Sequence, residues 1–141
     1  MDENDWNLRL ERTRAEAAAF APFLGTWLGT GLAHGEASTG TLSGQAILDG
    51  SFVEVRERSG DHEDRCLYRF DPEDGCFRVT HLFAGASVRE YTVERTDRGI
   101  VWVTPPLEPA VEWVFEPDGL LCEVTWPGAT HPEVRVHWTR A

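Results

Sequence analysis

Glycine-bearing turn pairs recur along this chain with short alternating runs between them, and that rhythm restricts the fold more than any other feature. The turns are Asp49-Gly50, Gly60-Asp61, Asp74-Gly75, Ala84-Gly85, Arg98-Gly99, Asp118-Gly119 and Pro127-Gly128. Such pairs suit tight hairpins, because glycine accepts the positive φ that a short reversal needs. The runs between them are rich in Val, Thr, Tyr, Phe and Trp, which pack well on a pleated surface. About ten strands are expected, over 25–33, 40–48, 51–58, 64–70, 76–83, 87–95, 99–104, 110–116, 119–126 and 133–140. No helical pattern falls between them, which excludes βαβ units and a parallel sheet. Sequential hairpins make a meander, and a meander removes its edges by closing on itself. The expected class is therefore all-β, an antiparallel up-and-down barrel. A sandwich is the other arrangement such hairpins allow.

A helix is expected before the barrel, from about Leu8 to Phe20. Ala15, Ala17, Ala18 and Ala19 are strong helix formers, and Pro22 stops the helix or starts a new turn. The apolar stripe of this helix is thin, so it is expected to lie on the barrel rather than within it. The organisation read from the sequence is an N-terminal segment and helix over 1–22 and a barrel over 23–141, one domain overall.

Charge narrows the function. The net charge is −11, from 24 acidic and 13 basic residues, and every basic residue is Arg. Phosphate binding needs a basic face, so nucleic acid is not an expected partner, and anionic membranes are disfavoured on the same ground. Met1 to Trp6 is polar and acidic, without the basic start and apolar run of a signal peptide. Cys66, Cys76 and Cys122 are odd in number and form no CxxC pair, so free thiols in a reducing cytoplasm are expected. The expected localisation is cytoplasmic, and a homodimer is left open.

Period-two alternation sorts the strand faces. Phe77, Val79, His81 and Phe83 share one face; so do Arg89, Tyr91 and Val93; so do Val111, Trp113 and Phe115 against Glu112; so do Val134, Val136 and Trp138 against Arg135 and His137. Parity does not say which face turns inward. The candidate ligand-binding polars are Arg135, His137, Arg89, Tyr91, His81 and Glu112.

The segment Gly25-Thr26-Trp27-Leu28-Gly29-Thr30-Gly31 resembles the GxW signature of lipocalins and other calycins, and more closely the opening of nitrobindin-like barrels. Ile47-Leu48-Asp49-Gly50-Ser51-Phe52-Val53 and the ending Val136-His137-Trp138-Thr139-Arg140 are similar to segments of uncharacterised bacterial lipocalin-like proteins. The resemblance implies a lipocalin-like barrel with Trp27 plugging its closed end. It also implies a late Arg stacked on the indole, either Arg140 or Arg135. Haem is the cofactor that nitrobindin-like barrels bind, through a His on a late strand; this chain offers His131 and His137. Its alignment with that ending places Glu133 or Arg135 nearest the ligand position, and Ala33-His34-Gly35-Glu36 stands where the family has Tyr-Pro-Thr.

Other chemistry is sparse. Arg135-Val136-His137 and Arg89-Glu90-Tyr91 each put two polar groups on one face, the spacing a bound carboxylate requires. Asp61-His62-Glu63-Asp64 matches no metal template and reads as a solvated turn. Glu112, Glu54 or His81 inside a dry barrel would have a shifted pKa and act as acid or base. The first functional expectation is a cavity for a small hydrophobic molecule, apolar or anionic-apolar. The second is an enzyme in the same cavity, isomerase- or cyclase-like or a haem protein. The third is a filled barrel serving as a structural or interaction domain through the loop Thr104-Pro105-Pro106-Leu107-Glu108-Pro109.

Overall fold

The computed structural model describes all residues, Met1–Ala141. A helix α1 (Glu3–Ala17) leads into a 3₁₀ turn (Ala18–Phe23). Ten strands follow: β1 (Gly25–Ala33), β2 (Glu36–Ile47), β3 (Phe52–Ser59), β4 (His62–Asp71), β5 (Cys76–Phe83), β6 (Ser87–Arg95), β7 (Gly99–Val103), β8 (Ala110–Glu116), β9 (Gly119–Thr125) and β10 (Val134–Arg140). Each pairs antiparallel with its sequence neighbour, and β1 pairs with β10 from Trp27↔Arg140 to Ala33↔Val134, so the barrel closes with no free edge. The expected up-and-down meander is the observed fold.

One parity of the strands supplies the barrel core. Val53 and Val55 on β3, Cys66 and Tyr68 on β4, Val79 on β5, Trp113 on β8 and Trp138 on β10 all belong to one buried cluster. The two ends of the barrel differ. The connections β2–β3, β4–β5, β6–β7 and β8–β9 lie at the end where the N-terminal segment enters; the other five hairpins form the opposite rim.

Helix α1 crosses the first end. Asp2 caps it by accepting from the Asp5 amide at 2.8 Å. Arg9 reaches Glu73 in the β4–β5 turn, Arg14 donates to the Asp49 carbonyl in the β2–β3 turn, and Arg12 lies 5.0 Å over the Phe70 ring. The 3₁₀ turn then drives two rings into the barrel. Phe20 and Phe23 are fully buried. Phe23 stacks on Tyr68 at 4.9 Å and meets Trp113 and Phe115 edge-on at 5.0 and 5.2 Å. Gly44 permits this insertion: a Cβ there would stand 2.0 Å from the Phe23 carbonyl oxygen.

Trp27 joins this plug. Its Nε1 donates to the Phe23 carbonyl at 3.0 Å, and the Arg140 guanidinium lies 4.3 Å over its ring. The stacking Arg is therefore Arg140, while Arg135 points outward. The closed end is made by Trp27 together with Phe20, expected only as the end of the helix, and Phe23, to which the sequence reading gave no role. No helix is long and apolar enough to cross a membrane.

Candidate functional site: a hollow upper barrel with an acid pair

Above the plug the barrel is hollow. A cavity of about 840 Å³ opens at the rim opposite α1. Aromatic side chains form much of its wall, with Trp102, Trp113, Trp138, Tyr91 and Phe83 among them. Tyr91 stacks on Trp102 at 5.6 Å and donates through its hydroxyl to Glu108 at 2.7 Å, which ties the β7–β8 loop to the rim. Burial and this hydrogen bond push the Tyr91 phenol up to about 12.

Inside this apolar wall stand two carboxyl groups, Glu57 and Asp64. Strand register explains the pairing. Glu57 is in phase with Val53 and Val55 on β3, Asp64 is in phase with Cys66 and Tyr68 on β4, and the two residues are directly opposed across the hairpin. Their carboxyl groups are within hydrogen-bonding reach of each other. Asp64 Oδ2 lies 2.9 Å from His81 Nε2, and His62 is 3.8 Å from the same oxygen. His81 is held in turn by the edge of Trp102 at 5.3 Å and the ring of Phe83 at 4.8 Å.

The proton count of this group follows from its geometry. Asp64 Oδ1 is buried and has no donor partner when both carboxyls are ionised. A proton on Glu57 supplies that donor and removes the repulsion between two adjacent negative charges. Burial first, and the neighbouring Asp64 second, push the Glu57 carboxyl up from 4.5 to about 8. Glu57 therefore holds its proton more tightly than an ordinary carboxyl and can donate it across the pair, while His81 meets the other oxygen of Asp64.

The thiols Cys66 and Cys122 lie in the same interior, and burial raises both well above an ordinary thiol. They are free, as is Cys76. The Trp102 indole donates to the Tyr68 hydroxyl at 3.2 Å, but the buried indole nitrogens of Trp113 and Trp138 have no partner in the chain.

Of the residues singled out in the sequence, His81, Arg89 and Tyr91 line the cavity, Arg89 at the exposed rim. Arg135, His137 and Glu112 do not join them. Val134, Val136 and Trp138 turn inward, so Arg135 and His137 project from the outer surface; Glu112 likewise lies opposite the inward Val111 and Trp113 and beside Glu123. Glu54 is buried on the outer side of β3. Its burial works against ionisation, but hydrogen bonds from Arg56 and Gln45 outweigh that and keep its pKa low. The acidic run Asp61–Asp64 is a turn only at its start: β4 begins at His62, and Asp64 belongs to the interior.

The late histidines do not supply the haem ligand that the resemblance implies. His137 sits on the outer face and His131 is exposed in the β9–β10 connection, so neither late histidine faces the cavity. Compared with protein-family models and with curated proteins, the chain matches none.

Proposed function

We propose that this chain is a lipocalin-like binding protein whose barrel holds one small, largely apolar molecule. The carrying observation is the cavity of about 840 Å³, walled by indole and phenyl rings and open at one rim. That is within the range of volumes and lining typical of small-molecule sites, where apolar walls supply affinity and a few polar groups set orientation. The hollow upper half speaks against a filled structural barrel. The acid pair speaks against the anionic-apolar ligand: Arg135 and His137 are outside, and the one Arg at the cavity is exposed at its rim.

Titration with the uncharged fluorophore N-phenyl-1-naphthylamine tests the reading. A saturable one-to-one rise in its emission is expected, with quenching of tryptophan fluorescence, because four indoles line the cavity. Val136→Trp fills the space and abolishes the signal while the far-ultraviolet spectrum stays that of a β-barrel. Non-saturable binding, or binding unchanged by Val136→Trp, rejects the cavity as the site.

A second reading has one observation in its favour. The group Glu57–Asp64–His81 both holds and accepts protons in a largely apolar space, which suits an isomerase- or cyclase-like proton transfer. Its check is base-catalysed ring opening of 5-nitrobenzisoxazole, in which a carboxylate removes the C–H proton as the N–O bond breaks. The reading requires a rate above buffer that falls in Asp64→Asn.

A further inference from the structure

No Arg or Lys partners the acid pair; the bases beside it are His81, 2.9 Å from Asp64 Oδ2, and His62, 3.8 Å from the same oxygen. All 13 basic side chains are Arg, and only Arg89 borders the cavity, at its exposed rim. Arg56 and Arg65, the register neighbours of the pair, alternate to the outer surface. Carboxyl groups inside a barrel ordinarily find an Arg or Lys partner, because an unpaired buried charge is costly. Here the pair is satisfied only by sharing a proton and by His81.

The opposite wall is aromatic. In the ring of strands, β9 lies across from β4, and its flanking strands β8 and β10 bear Trp113 and Trp138. Both indoles are almost fully buried, both line the cavity, and neither Nε1 has a hydrogen-bond partner. Their indole nitrogens are themselves enclosed and do not open on the hollow, so this wall offers ring surface rather than donors. The cavity therefore has carboxyl acceptors on one wall and aromatic faces on the others.

We propose that the molecule held in this barrel carries a protonated nitrogen, seated against Glu57 and Asp64, on an apolar body. This rests on the binding reading above and narrows it to a ligand class: a primary or secondary organic amine on an apolar, aromatic-compatible body. The ammonium takes the place of the shared proton. One N–H donates to Asp64 and another to Glu57, which gives up its proton to solvent as the positive charge of the ammonium arrives. The rings of Trp102 and Tyr91 present π faces that favour a cation. The other titratable groups facing the pair do not replace the ammonium. His62 and His81 stand on β4 and β5, the thiols Cys66 and Cys122 and the Tyr68 phenol lie deeper, and Arg89 and Glu108 are at the rim.

Three probes of equal length test this: dodecylamine, dodecanol and dodecanoate, each titrated calorimetrically into the intact chain. Dodecylamine is expected to bind at least about tenfold more tightly than dodecanol, since a hydrogen bond to a charged group contributes on the order of 1.5–3 kcal/mol and 1.4 kcal/mol is a factor of ten. Dodecanoate binds weakest. At pH 7, in two buffers of different ionisation enthalpy, dodecylamine binding releases close to one proton. Glu57→Gln abolishes that release, and Asp64→Asn removes the preference for amine, while both variants keep dodecanol binding as evidence that they fold. If dodecanol or dodecanoate binds as well as dodecylamine, or the preference survives Asp64→Asn, the amine class is wrong and the apolar-ligand reading stands. If none of the three binds, that reading falls as well.

Discussion

The two halves of this barrel are built from the same alternating strands and behave as opposites. At the closed end, Phe20, Phe23, Trp27, Leu42 and Tyr68 are almost wholly inaccessible, and Phe20 and Phe23 both meet the Tyr68 ring. At the open end the same inward parity delivers Glu57, Asp64, His62 and His81 to a hollow. The difference teaches where each property resides. Stability is concentrated where a non-strand segment fills the barrel, and chemistry is concentrated where nothing does. A meander fixes only which residues point inward; what closes one end decides which of them become core and which become a site.

Substitution at the plug is the strongest way to break this contrast. Phe23→Ala leaves a ring-sized hole between Tyr68, Trp113 and Phe115, and is expected to cost about 3–5 kcal/mol, as for buried Phe elsewhere. Phe83→Ala, at the half-exposed rim, is expected to cost under about 1 kcal/mol, because its loss enlarges a space that already exists. Urea denaturation of both variants at one pH measures the difference. Equal losses would mean that the hollow half is as tightly packed as the plugged half.

A smaller effect comes from the opposite change at the same place. Gly44→Ala adds a methyl group 2.0 Å from the Phe23 carbonyl oxygen, so the 3₁₀ turn must shift out of the barrel. Overpacking of this kind costs about 1–3 kcal/mol. Phe23→Ala leaves that backbone oxygen in place, so the double variant recovers part of the Gly44→Ala loss only if the turn relaxes once its ring is gone. Simple additivity in the denaturation data would show that Gly44 acts apart from the plug.

Much of this was legible beforehand, and the omissions have physical reasons. The strand limits follow from turn chemistry, which is local, so 25–33, 76–83, 87–95 and 110–116 coincide with the observed β1, β5, β6 and β8. Of the plug, only Trp27 and its stacked Arg were legible, through the resemblance. Phe20 and Phe23 sit beside a run of alanines that reads as helix, and nothing local says that the turn after it enters the barrel. Arg135 and His137 were attractive because they are polar and two apart, yet their partners Val134, Val136 and Trp138 are the stronger claim on the interior. Glu57 and Asp64 did carry a signal. Each keeps phase with an apolar face, Val53-Val55-Glu57 and Asp64-Cys66-Tyr68, on the two strands of one hairpin. A carboxylate in phase with core residues on both arms of a hairpin marks an interior acid pair. Asp64 was concealed by the acidic turn that precedes it.

The hollow half should reveal itself through pH rather than packing. Glu57 is raised from 4.5 to about 8, so the folded chain keeps a proton that the unfolded chain releases between those values. The folded state therefore gains relative stability from this group below about pH 4.5, and loses it as pH climbs through about 8. The melting temperature should fall between pH 5 and 8, and Glu57→Gln should flatten that slope without a large change at pH 5. At the acid limit the sign reverses. Arg78 holds Asp71 down to about 2 through its Nε at 2.9 Å, and that contribution disappears as pH falls through this value. A melting temperature that is level from pH 5 to 8 in the unaltered chain would mean that Glu57 is ionised and solvated, and that no proton is shared.

The smallest expected effect separates support of the plug from the plug itself. Arg140 lies 4.3 Å over the Trp27 ring and also donates to the Leu24 carbonyl at 3.2 Å, but it is exposed to solvent. An exposed cation–π contact contributes about 0.5–1 kcal/mol, so Arg140→Ala should cost about that much. Trp27→Ala, by contrast, should cost about 3–5 kcal/mol, because the indole is buried against the closing turn. A double-mutant cycle between them isolates the contact. Coupling near the Arg140→Ala value places Arg140 as a lid on a ring that is held by burial. Coupling near zero would reduce the Arg to its bond with Leu24, and the closed end would then owe its stability to the rings alone.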